Sequence, residues 1–140
     1  MDEGGIETYE FLRKMLYTRG IKSKGMAHID SNREMETLST ISNSGFLQRR
    51  NVRWFGRPKT NNGIQFIQEP FDILIDLSIS KTIALQYMLV HSLATFKVGW
   101  QGAELNYFDL NIDVSENPQC RYLMEQIIYY LGNIHERVEL

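Results

Sequence analysis

The residues best suited to do chemistry lie in one stretch, Gln48-Arg49-Arg50-Asn51-Val52-Arg53-Trp54-Phe55-Gly56-Arg57-Pro58-Lys59. Five cations fall within eleven positions and are interleaved with an indole and a phenyl ring. Guanidinium and ammonium groups attract phosphate, while Trp54 and Phe55 can stack on bases or enter a lipid interface. Arg49, Arg50, Arg53, Trp54, Arg57 and Lys59 are therefore the candidate residues for binding an anionic surface. The other use of the same rings is structural: Val52, Trp54 or Phe55 would belong to a core, with the arginines flanking a strand.

Other constellations offer less. His28, His91 and His135 are far apart and lack metal-ligand spacing, and His135-Glu136 has no second histidine four residues away. His91 lies in an apolar segment, where a satisfied core histidine is the expectation. Asp109 and Asp113, like Asp72 and Asp76, read as solvated charges on the outer face of strands. Gly99 and Gly102 are too close together for a phosphate-binding loop and lack the Lys-Ser/Thr that follows in one. Cys120 opens an apolar helix and reads as a buried structural thiol. No serine sits in a nucleophile elbow. No catalytic residue, metal ligand, cofactor or small-molecule substrate is assigned, and an enzyme is not expected.

The elements that must position the basic segment follow from periodicity. Tyr9, Leu12 and Leu16 make an apolar stripe on a first helix over Glu7 to Arg19, with Gly20 as its stop. Residues 21–45 are polar and read as a long loop with a turn of helix near Glu34 to Thr40. Phe46 to Phe55 reads as a strand. Asn61-Asn62-Gly63 then makes a hairpin turn, and the chain returns through Ile64 and Phe66. The exposed tip would be Arg57-Pro58-Lys59.

Further on, Phe71, Ile73, Ile75, Leu77 and Ile79 alternate with mostly polar residues, the pattern of a half-buried strand. Ser80 caps a helix over Thr82 to Thr95 that is apolar nearly all round and so expected to be buried on most sides. Phe96, Val98 and Trp100 make another strand, and Phe108, Leu110, Ile112 and Val114 a further one. Asn117-Pro118 starts a last helix with a core stripe of Leu123, Ile127, Leu131 and Ile134. The expected fold is α+β: an antiparallel or mixed sheet with packed helices. It forms a single domain over residues 1–140, with an N-terminal helix in 1–20, a polar loop in 21–45 and the α+β core in 46–140.

Charge is segregated along the chain. From Arg13 to Lys59, eleven basic residues oppose three acidic ones, a local charge of +8 within a net charge of −2. From Thr60 to Leu140 the balance is −6. Such asymmetry suits either a phosphate-bearing partner or self-association between oppositely charged regions. One cysteine in 140 residues excludes an internal disulfide framework and any cysteine-based zinc cluster. No apolar run is long enough to span a bilayer, and the acidic start lacks the pattern of a secretory signal. A cytoplasmic, intracellular location is expected.

Residues 71–114 also carry a resemblance. The order is Phe-Asp-Ile-Leu-Ile-Asp-Leu-Ser-Ile-Ser, a buried helix over Lys81 to Ala94, Lys-Val-Gly-Trp-Gln-Gly, and then Tyr-Phe-Asp-Leu-Asn-Ile. This resembles the core of the small matrix proteins of negative-strand RNA viruses, the rhabdovirus type in particular. It implies a virion protein that assembles under an envelope and contacts membrane, nucleocapsid and itself. No family residue carries over to this chain.

The first functional expectation is accordingly a non-enzymatic, matrix-like structural protein, self-associating into a homo-oligomer and contacting anionic membrane or nucleocapsid. The second is a nucleic-acid-binding accessory protein built on Arg49–Lys59.

Overall fold

Apolar side chains at helical spacing open the chain as α1 (Gly5–Thr18), which buries Thr8 and Leu12. The protein is described here from a computed structural model covering residues 4–29, 31–102 and 106–138, the last six as backbone. The side chains of Ile134, His135 and Glu136 lie outside the described residues.

The stretch expected to be a polar loop is a folded unit instead. It holds β1 (Gly25–His28) and α2 (Asn32–Ser39) and leads into β2 (Ser44–Leu47). Helix α2 starts at Ser31, whose hydroxyl accepts a hydrogen bond from the Glu34 amide, an N-cap at modest spacing of 3.4 Å. Strands β1 and β2 pair in parallel from Gly25↔Ser44 to His28↔Leu47. Ala27, Ile29, Leu38 and Ile41 pack together beneath them. Ile6, Tyr9, Met35 and Phe46 pack against these four, so anchors scattered among polar residues close the unit without a dense apolar run. A hydrogen bond between the Tyr9 and Ser44 hydroxyls ties α1 to β2.

The hairpin read at Asn61-Asn62-Gly63 is also overturned: these residues open helix α3 (Asn61–Gln68). The Thr60 hydroxyl accepts from the Gly63 amide at 3.3 Å and caps the helix. Gly63 serves close packing, since a Cβ there would stand 2.5 Å from Pro58 Cβ. Ile67 is buried with Leu47 and Met88 in a second apolar cluster.

The second half contains β3 (Ile73–Ile75), α4 (Ile83–His91), β4 (Phe96–Gly99), β5 (Leu110–Asn111) and α5 (Cys120–Val138). Strands β3, β4 and β5 form one sheet in that order. Both pairings are parallel.

The expectation of an antiparallel or mixed sheet is therefore wrong, although the α+β character stands. Every strand pair in both sheets is parallel. For β1–β2 and β3–β4 the reason lies in the connections. Helices α2 and α4 each carry the chain back to the edge where the preceding strand began, and strands joined that way must run in the same direction. Alternating residues report which face a strand buries and say nothing of its direction.

Helix α5 supplies the deepest core, with Leu123 and Ile127 packed against Val98, Ile112 and Val114. It also lies against α1, where the Arg121 guanidinium sits 4.0 Å from the centre of the Phe11 ring. Cys120 is buried at its start.

Candidate functional site

The basic segment begins where β2 ends at Leu47. A single 3-10 turn over Arg49–Asn51 is braced by the Asn51 side chain, which accepts from the Gln48 amide at 2.9 Å. This turn presents Arg49 and Arg50 to solvent. The chain then makes a tight loop whose ends are pinned together. Val52 and Pro58 form an isolated antiparallel bridge, Lys59 N–H donates to the Asn51 carbonyl at 2.7 Å, and Arg53 N–H donates to the Arg57 carbonyl at 2.9 Å. The tip is Trp54-Phe55-Gly56 and not the expected Arg57-Pro58-Lys59, because Pro58 is buried against α3.

Gly56 makes the loop possible. Its φ of 100° lies where side chains are disfavoured, and an added Cβ would stand 2.6 Å from the Ile83 carbonyl oxygen. The loop thus lies directly on the start of α4.

All six candidate residues, Arg49, Arg50, Arg53, Trp54, Arg57 and Lys59, are exposed. Trp54 is 88% exposed, which removes it from any core role. None of the five cations forms an ion pair with the described residues.

The structure joins this segment to Tyr87 and His91 of α4, a connection that the sequence did not show. Trp54 meets Phe55 edge-on with centroids 5.3 Å apart, Phe55 meets Tyr87 at 6.2 Å, and Tyr87 lies 4.1 Å from the His91 ring. Four rings therefore step from the loop tip along α4. Beside them, Arg57, Gln68, Tyr87 and His91 line a cavity of about 190 Å³ floored by Ile64 and Ile67. His91 is exposed, against the expectation of a core histidine. The i, i+4 spacing of Tyr87 and His91 was the available signal, hidden by the apolar residues around it.

A second polar cluster behaves differently. Asp76, Ser78 and Lys81 follow β3, and they are not the solvated outer face expected of Asp76. The Ser78 hydroxyl and amide both donate to Asp76 Oδ1, at 2.6 and 2.9 Å. Lys81 Nζ reaches the Ser78 carbonyl at 2.6 Å, the Ser78 hydroxyl at 3.0 Å and Asp76 Oδ2 at 3.4 Å. These contacts make the trio a clamp on the β3–α4 turn. Asp109 ties the start of β5 to β4 by accepting from the Lys97 amide, and Asp113 braces a turn by accepting from the Ser115 amide. Among the described residues, no group of three or more His, Cys, Asp or Glu could hold a metal ion. No helix among them is long and apolar enough to cross a membrane.

No curated protein and no solved structure matches this chain, and nothing in the comparisons links it to viral matrix proteins. A family model does match, over residues 1–134, so the chain belongs to DUF6913, a family of unknown function.

Proposed function

We propose that this protein is a non-enzymatic nucleic-acid-binding protein that grips single strands with the loop of residues 49–59 and the rings of α4. The observation that carries this reading is Trp54, held in water at the head of four stepped rings, in a segment whose five exposed cations lie outside any described ion pair. Burying a large apolar side chain is worth about 1.5–3 kcal/mol, and this loop forgoes it. Stepped rings offer faces to unstacked bases, and the arginines track the backbone between them. A duplex keeps its bases stacked on one another and gives the rings nothing to hold. The reading places the protein inside the cell, where such strands occur.

Fluorescence anisotropy with a labelled thymidine oligomer tests this. Binding should weaken steadily with salt, with a log–log slope of about −2 to −3 if three or four phosphates are neutralised. A duplex of the same length should bind more weakly. Absence of binding at low salt, or binding indifferent to the loss of the loop arginines, would overturn the reading.

The matrix-like alternative rests on a different observation. Ile83, Val90 and Leu93 expose apolar surface along and just beyond α4, beside the loop. Homo-oligomers that resist salt, together with binding to anionic liposomes but not to oligonucleotides, would favour self-assembly at a membrane.

A further inference from the structure

A second crevice lies where parallel strands β4 and β5 end. Val98 pairs with Leu110 and Gly99 with Asn111, so the chain leaves both strands side by side. The Asn111 side chain then bridges the two exits, accepting from Gln101 N–H at 3.0 Å and donating to the Gln101 carbonyl at 2.9 Å. Between them is an open cavity of about 400 Å³ lined by Trp100, Gln101, Gly102, Asn111, Asp113 and Ser115.

The lining has a definite chemistry. Gly102 stands close to Trp100, where an added Cβ would come within 3.2 Å of the indole and crowd it. Gln101 Oε1 is buried and finds no donor among the described residues, a costly state for an acceptor. Asp113 adds a carboxylate, which hydrogen bonds from the Ser115 amide and hydroxyl hold below the ordinary range. The crevice therefore presents acceptors and a flat apolar face, with no cation among its described lining residues to attract phosphate.

We propose that this crevice binds a neutral, hydroxyl-rich ring, a monosaccharide unit, stacked on Trp100 with hydroxyls donating to Gln101 Oε1 and the Asp113 carboxylate. A pyranose offers an apolar C–H face and a rim of donors, matching both features at once. This site is separate from the basic loop and does not depend on it.

The chain has two tryptophans, one at each site, which makes the test direct. In Trp54→Phe, emission comes from Trp100 alone. Titration with the methyl glycosides of glucose, galactose and mannose should give a saturable change at millimolar concentration for at least one of them. Saturation transfer to its ring C–H protons should accompany the change. Asp113→Asn and Gln101→Leu, neither of which removes a core side chain, should each weaken binding about tenfold, the loss of one hydrogen bond to a charged or buried acceptor. No saturable response to any of the three sugars would overturn the proposal. So would an equal response in both variants, or a response to tetramethylammonium chloride alone.

Discussion

Two loops leave the ends of parallel strands in this molecule, and they treat charge in opposite ways. After β3, one lysine and one aspartate turn inward. Their side chains are 6% and 12% exposed, and Ser78 completes the hydrogen bonding. After β2, five cations turn outward, none in an ion pair with the described residues, in a segment that also leaves Trp54 in solvent. The first loop uses charge to fix its own shape. The second presents charge to something else. The lesson is that a charged residue reports function through its partners, and a cation without an internal partner is the more informative one.

The largest expected effect comes from breaking the inward loop. Lys81→Met leaves Asp76 buried without its cation and should cost about 3–5 kcal/mol of stability, measured by urea unfolding. The double change Asp76→Leu with Lys81→Met should recover most of that loss, because an apolar pair carries no uncompensated charge. If the single change were neutral, the clamp would be ornamental and the comparison would fail on that side. Next in size, Leu123→Ala in the α5 core should cost about 2–5 kcal/mol by the same measurement.

Gly56→Ala acts on the outward loop. It forces an unfavourable φ and pushes a methyl into the Ile83 carbonyl, at a cost of about 1–3 kcal/mol. The near-ultraviolet circular dichroism of the Trp54–Phe55–Tyr87 rings should change with it. The smallest effect on stability sharpens the comparison most. Replacing Arg49, Arg50 and Arg53 together with serine should leave unfolding within about 0.5 kcal/mol of the native value. Oligonucleotide binding should nonetheless lose about 2 from the magnitude of its salt slope.

Much of this was legible in the sequence, for reasons visible in particular elements. Leu123 and Ile127, spaced four apart, marked the buried face of α5, and Phe96 and Val98 marked β4. The basic character of Arg49–Lys59 could be read from composition alone. What failed had physical causes. Thr60 turned an Asn-Gly turn signal into a helix start, because its hydroxyl satisfies the Gly63 amide and Pro58 packs on the glycine. The unit around β1 and α2 was missed because Ala27, Ile29, Leu38 and Ile41 are sparse among polar neighbours. Helix α4 is apolar on every side, so no pattern revealed that Ile83, Val90 and His91 face solvent. The ring chain from Trp54 to His91 depends on that placement and was invisible without it.

The central claim is that Trp54 and the cations of its segment form a binding surface for single strands. In Trp100→Phe, Trp54 is the chain's sole tryptophan and reports on that surface directly. Titrating a thymidine oligomer into this variant at about 50 mM salt should quench Trp54 emission to saturation, and raising salt to about 200 mM should reverse the quench. Binding detected by anisotropy with no change in Trp54 emission, or no binding at all, would contradict the account.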